Sequence, residues 1–596
     1  MQSAPPLPGL DRFGSVWLAD FEFAVEVGGL PRPVCCCGLE LRSGRLVREW
    51  LWDRRPSCPF TLGDDAVYVS YFLPAELGCH LVLGWDFPVH AIDLAVEYRR
   101  LRNGRPSTMG HSLVAALLTH NIDGAGFVDK HEMQMLAARG GPYTERQQTA
   151  LTEYNERDVR ALERLLPAML PRLDVPRALF RGAYMSAVTK MEHNGLPLDG
   201  DILQRFADGW QAIKNSLIAD VNARYGVWQG GSFSEAKWEA WVNARRLPWP
   251  RLPSGRLDLK RATFNRMAEL CPDVGPVRSL RSLLDQLDDF ELPVGSDRRH
   301  RWESWTFGTI TGRHAAHASE CLLLRPKWCR GLVLAPADRA LIVLDYAQQE
   351  YLISGILSGD HRMIDDYRAG DVYVSLGKSL GLIPPDGTKA THRQQRDLCK
   401  VIVLAVTYGM GAESLARKIR RPVTEARHLL RRHRERYAAF WRWSDATVRY
   451  ARAHRRLRTR FGWGVFFPRG TKPTTMRNWR VQATGGEVLR AAVCYLDHAG
   501  LQLDATLHDS VVVECDAERV EETAATARRL MVEASEAVLH EPLRVDATLV
   551  RPGERWLEDG PRQTWGQMTE LLRRVEADES RSLQRRPTAL FAGSGG

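Results

Sequence analysis

Leu341 to Leu352 reads LIVLDYAQQEYL, and this stretch most limits what the chain can fold into. Four apolar residues, Leu341, Ile342, Val343 and Leu344, run straight into Asp345. A short apolar run of this kind suits a buried strand, and the polar YAQQE marks its end. The strand therefore delivers a carboxylate to a sheet edge, with a second acid, Glu350, following it. Taken alone, Asp345 reads first as a capping residue at the strand's end. The downstream sequence decides between the two.

At 596 residues the chain has room for several cores, so about three or four structural units are expected. Hydrophobic content of 44% and charged content of 26% are ordinary for a soluble globular protein. A formal charge of +10 fits a polyanionic partner without identifying one. The cysteines show no CxxC pair, and the consecutive Cys35, Cys36 and Cys37 suit a buried strand better than a metal site. The reading is free thiols in a reducing compartment and no structural zinc. Around Pro5, Pro6 and Pro8 there is no signal-peptide core, and no run approaches a membrane span.

Val16 to Val27, VWLADFEFAVEV, alternates enough to be a strand. Asp20 and Glu22 are two apart, so on a strand both carboxylates share a face. Like charges held together are costly unless a cation sits between them. LTEYNERDVRALERLL (Leu151 to Leu166) has helical periodicity, which puts Tyr154 and Asp158 on one face. With these residues the region resembles the 3′–5′ exonuclease domain of the DEDDy type. The resemblance implies two metal ions held by Asp20, Glu22, a middle acid and Asp158, with Tyr154 orienting the attacking water. Two metals about 4 Å apart can stabilise both the attacking and the leaving oxygen of a phosphodiester. The middle acid departs from the family's pattern. Glu76 in YFLPAELG is the match, with Phe72 where the family has Asn, and Asp93 in AIDLAVEYR is the runner-up.

MEHNGLPLDG (Met191 to Gly200) resembles the segment that enters the polymerase module of family A DNA polymerases, and GGSFSEAKW and LPSGRLDLK resemble that family's thumb. In FGTITGRHAAHASE, Thr311, Gly312 and Arg313 match the TGR that opens the palm, with His314 and Ala315 replacing the usual Ser-Ser. Arg313 is expected at the primer terminus.

RDLCKVIVLAVTYG (Arg396 to Gly409) places Arg396, Lys400, Leu404 and Tyr408 at four-residue steps, so on a helix the first three share a face. Cations followed by an apolar platform suit a nucleotide, and Lys400 lies within an apolar run where an unpaired cation is costly. LQLDATLHDSVVVEC reads as a hairpin presenting His508 and Asp509. In this order the three stretches resemble motifs A, B and C of family A, the DNA polymerase I type. The resemblance implies Asp345 and Asp509 as ligands of two Mg²⁺ ions, with Mn²⁺ as a substitute. It implies Arg396 and Lys400 on the triphosphate, Lys400 donating a proton to pyrophosphate, Tyr408 at the templating position, and Glu350 as a steric gate. Gln348 lies on the same rim, Tyr373 stands where the family often has a phosphate-binding His, and Asn478 and Gln482 touch template or primer beside His508. Ser510 replaces the usual third acid, and Leu404 replaces an aromatic platform.

The expected fold is therefore multidomain α+β and α/β. Residues 1–175 form an RNase H-like exonuclease domain, and 176–300 a linker and helical thumb. Residues 301–360 form the first part of a palm with an antiparallel sheet, 361–460 helical fingers, 461–560 the second part of the palm, and 561–596 a polar tail. Arg431, Arg432, Arg434, Arg436, Arg455, Arg456 and Arg458 are candidate contacts to template phosphate. Tyr437 and Trp441 read either as stacking platforms or as helix core. Leu590 and Phe591 read either as a sliding-clamp peptide or as a frayed end. Expected partners are primer–template DNA and dNTPs. The absence of a 5′-nuclease resemblance suggests a phage or mobile-element enzyme in the cytoplasm of a bacterial host. Two alternatives stand beside this reading: a single-subunit RNA polymerase, opposed by the exonuclease pattern and Glu350, and a non-catalytic primer–template binder, suggested by Ser510 and Leu404.

Overall fold

The structure, a computed structural model, describes residues 7–107, 109–123, 130–286, 289–316 and 319–584. It divides into two compact units. The first comprises Met1–Gly195, Glu303–Ala315 and Arg339–Leu549, and the second Leu196–Trp302, Ala316–Asp338 and Val550–Gly596.

The first unit contains two sheets. Strands β1 (Ser15–Ala24), β2 (Arg32–Glu40), β3 (Leu46–Trp50), β4 (Ala66–Ser70) and β5 (Ala91–Asp93) form one sheet in the order β3-β2-β1-β4-β5. β1 runs antiparallel to β2 and parallel to β4. Cys35, Cys36 and Cys37 are fully buried in β2, as the unbroken apolar run requires. Around this sheet lie α1 (Leu73–Leu83), α2 (Leu94–Arg102), α3 (Glu145–Met169) and α4 (Val175–Asn194). A capping box between Thr144 and Gln147 starts α3. The break between units falls after Gly195 rather than near residue 175, because α4 packs against α1, β5 and the hairpin of the second sheet.

That second sheet is built from β6 (Arg339–Tyr346), followed by helices α5 (Gln349–Ser358), α6 (Val372–Leu380), α7 (Arg393–Thr407), α8 (Val423–Arg436), α9 (Ala438–His454) and α10 (Pro473–His498), then β7 (Gln502–Leu507), β8 (Ser510–Asp516) and β9 (Val545–Val550). The strand order is β7-β8-β6-β9, with β6 antiparallel to β8. Leu341, Ile342 and Leu344 are fully buried in β6. Tyr437 and Trp441 belong to the core, so they do not serve as exposed stacking platforms. Their apolar neighbours recur at helical spacing, which turns both rings inward. Of the arginines beside them, Arg436 pairs with Asp366 and Arg432 donates to the Ser379 carbonyl, while Arg431 and Arg434 are exposed.

The second unit is mainly helical. Phe206, Trp210, Phe290, Trp328 and Trp565 form one aromatic cluster. Trp238 stacks on Trp241 in another. The stretch expected to be a polar tail is helical from Asp559 to Gln584. Trp565, Met568, Leu572 and Val575 supply a buried stripe at helical spacing, and Arg205 forms a paired salt bridge to Glu576. Leu590 and Phe591 lie outside the described residues.

Candidate active sites

Asp345 closes β6, and the antiparallel register sets it directly across from Ser510 at the head of β8. Asp509 lies in the hairpin turn, and its carbonyl accepts from the Tyr346 N–H at 3.4 Å. Although Asp345 is exposed, partial loss of solvent around it, followed by the Asp509 charge, pushes its carboxyl up to about 7. Enclosure also raises Asp509, and a hydrogen bond joins the two carboxyls. Two carboxyls that resist ionising side by side are matched to a divalent cation, and hard carboxylate oxygens suit Mg²⁺. The Ser510 hydroxyl donates to the Leu507 carbonyl at 2.7 Å, so it closes the hairpin turn. The charge of Asp546 on β9 also raises Asp345. Sequence reading missed this acid, since only sheet pairing brings β9 alongside β6.

α7 carries the candidate nucleotide face. Cys399, Ile402, Val403, Ala405 and Val406 are buried, whereas Lys400 and Leu404 are exposed. The apolar run around Lys400 therefore faces inward and leaves the ammonium in water, which removes the desolvation cost expected for it. Tyr408 lies just past the helix end as its C-cap residue. Arg396 pairs with Asp371 at 2.9 Å, and its guanidinium lies 4.8 Å from the centre of the Tyr373 ring. Tyr373 is buried, so it supports Arg396 from beneath.

Arg313, Asn478, Gln482 and His508, expected separately to touch DNA, line one cavity of about 520 Å³. Arg313 Nε donates to the Gln482 carbonyl at 3.1 Å, and its Nη2 pairs with Glu350 at 3.0 Å. A Cβ on Gly485 would stand 2.9 Å from Arg313 Nη2 and 2.6 Å from Gln349 Oε1. That close approach accounts for a glycine inside α10 despite its cost of about 1 kcal/mol. Gln348 starts α5 in the left-handed region at φ 55°, and its Oε1 accepts from Arg544 Nη2 at 3.3 Å. Arg544 also donates to the Gly370 carbonyl at 2.8 Å. It is a further rim residue that sequence reading missed, carried to the rim by β9.

In the first sheet, carboxylate oxygens of Asp20, Glu22 and Asp158 lie within 4.8 Å of one another. The acids of β1 share a face by strand alternation, and a bulge follows Glu22. Tyr154, on the buried face of α3, is hydrogen-bonded to Asp158 one helical turn away. Asn155 Nδ2 donates to Asp20 Oδ2 at 2.5 Å. Its position next to Tyr154 was the only sequence signal for this residue. Glu76 is buried outside the three-acid group, and its Oε2 accepts from the Phe21 N–H at 2.9 Å. Burial, then the charges of Asp20 and Glu22, push Glu76 well up. Asp93 caps α2, accepting from Val96 N and Leu73 N, which occupies both of its oxygens. Three clustered carboxylates with a neighbouring hydroxyl suit hard divalent ions.

Residues 324–558 match the family model of DNA polymerase family A. DNA polymerase I of Aquifex aeolicus is 26% identical over 438 residues, 68% of this chain and 72% of that protein. The thermostable DNA polymerase I of Thermus thermophilus is 27% identical over 242 residues, 38% of this chain but only 28% of that protein. The polymerase domain of Pol1 from M. smegmatis, solved in complex with DNA primer–template and dNTP, superposes with a TM-score of 0.68. It is 16% identical and covers 92% of this chain and 96% of that one. The match at 324–558 is to family A polymerase sequence, and the chain shares the fold of a DNA polymerase I polymerase domain.

Proposed function

We propose that the chain is a family A DNA-directed DNA polymerase that adds dNTPs to a primer 3′ end. The observation that carries this reading is the Asp345–Asp509 carboxyl pair at the end of the two central strands, brought together by the β6–β8 register. Bound Mg²⁺ would be held by Asp345 and Asp509 and would supply Lewis-acid stabilisation of the developing phosphoryl charge. Arg396 and Lys400 bind the triphosphate, and the exposed Lys400 ammonium hands a proton to the departing pyrophosphate. Leu404 packs on the base or sugar. Glu350, fixed by Arg313, crowds a ribose 2′-OH and favours deoxynucleotides. Arg313, Asn478, Gln482 and His508 hold the primer end, and the helical second unit acts as the thumb that grips duplex phosphate.

The three-acid group supports a second activity of the same chain, 3′–5′ degradation of DNA. Asp20, Glu22 and Asp158 would hold the ions, Glu76 would act beside them, and Tyr154 would orient the attacking water.

Purified protein with a labelled DNA primer–template, Mg²⁺ and either dNTPs or NTPs tests the main reading. Extension with dNTPs and not with NTPs is expected, and failure to extend with dNTPs refutes it. Asp509→Ala is expected to abolish extension and spare degradation of single-stranded DNA.

A further inference from the structure

Arg490 on α10 is a buried arginine, 3% exposed, in the wall of the cavity that holds Arg313. Its Nη1 donates to the Gly312 carbonyl at 2.7 Å, and its guanidinium sits 4.8 Å from the centre of the Phe307 ring. Burial of a cation is expensive, and a carboxylate one helical turn away, Glu487, offsets the charge. Packing alone would be met more cheaply by an apolar side chain of similar length.

What Arg490 holds is a turn whose own bonds centre on Thr309: the Gly312 N–H donates to the Thr309 carbonyl at 2.9 Å and the Arg313 N–H to Thr309 Oγ1 at 3.0 Å, which leaves the Gly312 carbonyl for an outside donor. Gly312 has φ +73°, and a Cβ there would stand 2.8 Å from the Trp463 indole, so the position is confined to glycine. The Ile310 carbonyl of the same turn takes donors from Trp479 and Asn103 at 2.8 and 2.7 Å. The Gly312 carbonyl takes Arg490. Thr309 holds the Arg313 backbone from inside the turn, and the donors to the Ile310 and Gly312 carbonyls hold the turn from outside, so together they set the direction in which Arg313 leaves. Arg313 emerges into the cavity and reaches the Gln482 carbonyl and Glu350. Arg490 is itself set by neighbours. Another buried arginine, Arg181, pairs with Glu97 at 2.5 Å, and its charge acts on both Glu487 and Arg490.

We propose that Arg490 is a positioning residue for primer binding: through the Gly312 carbonyl it fixes the direction of Arg313, and with it the grip on the 3′-terminal nucleotide of a DNA duplex. The inference rests on the polymerase reading above, and its ligand chemistry is the sugar and minor-groove edge of that terminal pair. Arg490 makes no contact with substrate in this role. It acts through one backbone carbonyl.

The test is a double-mutant cycle of Arg490→Met and Arg313→Met in the full-length chain. It is read by fluorescence anisotropy on a labelled primer–template and by separate KM values for DNA and dNTP. Arg490→Met is expected to weaken primer–template binding about tenfold. The dNTP KM should stay within about twofold of wild type. Arg490→Lys, which keeps one donor, should restore most of the binding. The double variant should bind no more weakly than Arg313→Met alone. Additive losses, a parallel rise in both KM values, or an Arg490→Lys variant as poor as Arg490→Met would each overturn the proposal. Should Arg490→Met fold poorly with Glu487 unpaired, Arg490→Met with Glu487→Gln removes both charges and enters the same cycle. A non-additive cycle in a chain that never extends the primer would defeat the dNTP-adding part of the reading above while leaving the primer-binding role of Arg490 standing. Normal extension with an additive cycle would do the reverse.

Discussion

Asp345 and Ser510 stand directly opposite each other on adjacent antiparallel strands, so a serine that bonds back to the Leu507 carbonyl occupies the place where a carboxylate would repel the site acid. Like charges placed opposite in this way cost roughly 0.2–1 kcal/mol. Ser510→Glu should therefore lower the melting temperature in chelator and show a larger rise with Mg²⁺ than wild type. Thermal melts with and without Mg²⁺ check this. A variant that melts like wild type in both buffers would mean that residue 510 does not face the ion site.

Asn155 Nδ2 holds Asp20 Oδ2 at 2.5 Å in the three-acid group. Asn155→Ala removes that bond to Asp20. Degradation of single-stranded DNA from the 3′ end should fall about tenfold, the scale of one charge-assisted bond. Primer extension should be unchanged, because Asn155 lies on α3 beside the first sheet and the extension acids belong to the second. A gel assay of both reactions on one preparation separates the two effects. Loss of both reactions together would show that the two sites are coupled.

Arg396 is held by Asp371, which also accepts from the N–H groups of Tyr373 and Val374 at the start of α6. An incoming triphosphate competes with that carboxylate for the guanidinium. Asp371→Asn keeps a good N-cap and removes the competing charge. The dNTP KM should fall about two- to fivefold, with kcat little changed, on the usual scale of a partly exposed ion pair. Steady-state kinetics measure it. A rise in KM would mean that Asp371 aims Arg396 rather than competing for it.

His433 is fully buried, and its Nδ1 accepts from Trp441 Nε1 at 3.2 Å, so the native ring is neutral. Burial, then the charges of Arg434 and Arg436, push it down to about 3. The unfolded ring takes a proton below about 6.5. Between those two values the unfolded chain binds the extra proton, so stability is intact above about 6.5 and is lost as pH falls toward about 3. The slope is at most about 1.4 kcal/mol per pH unit for this residue. Urea unfolding at pH 7 and pH 5 should show the loss. His433→Gln should lose less than wild type over the same interval, and an equal loss would place the acid sensitivity elsewhere.

The sequence by itself determined the elements and the chemistry of their ends. LIVLDY makes a buried strand closing on Asp345 because four apolar residues stop at a charge. YNERD puts Tyr154 and Asp158 one helical turn apart because the period is local. Arg396, Lys400 and Leu404 share one face for the same reason. The tail after 560 was misjudged through composition: its few apolar residues are enough for a helix, since they fall on one stripe against an aromatic cluster.

What only the tertiary structure decided is which distant residues meet. Strand register puts Ser510 across from Asp345, and sheet order brings Asp546 and Arg544 beside it from about 200 positions away in sequence. Helix packing sends Tyr437 and Trp441 inward and Lys400 outward, although all three lie among apolar neighbours. Periodicity is a property of neighbours along the chain, so it can be read from spacing alone. Register and the partner of each carboxyl depend on how whole strands settle against one another, which the summed packing of the two units decides and no single window of sequence contains.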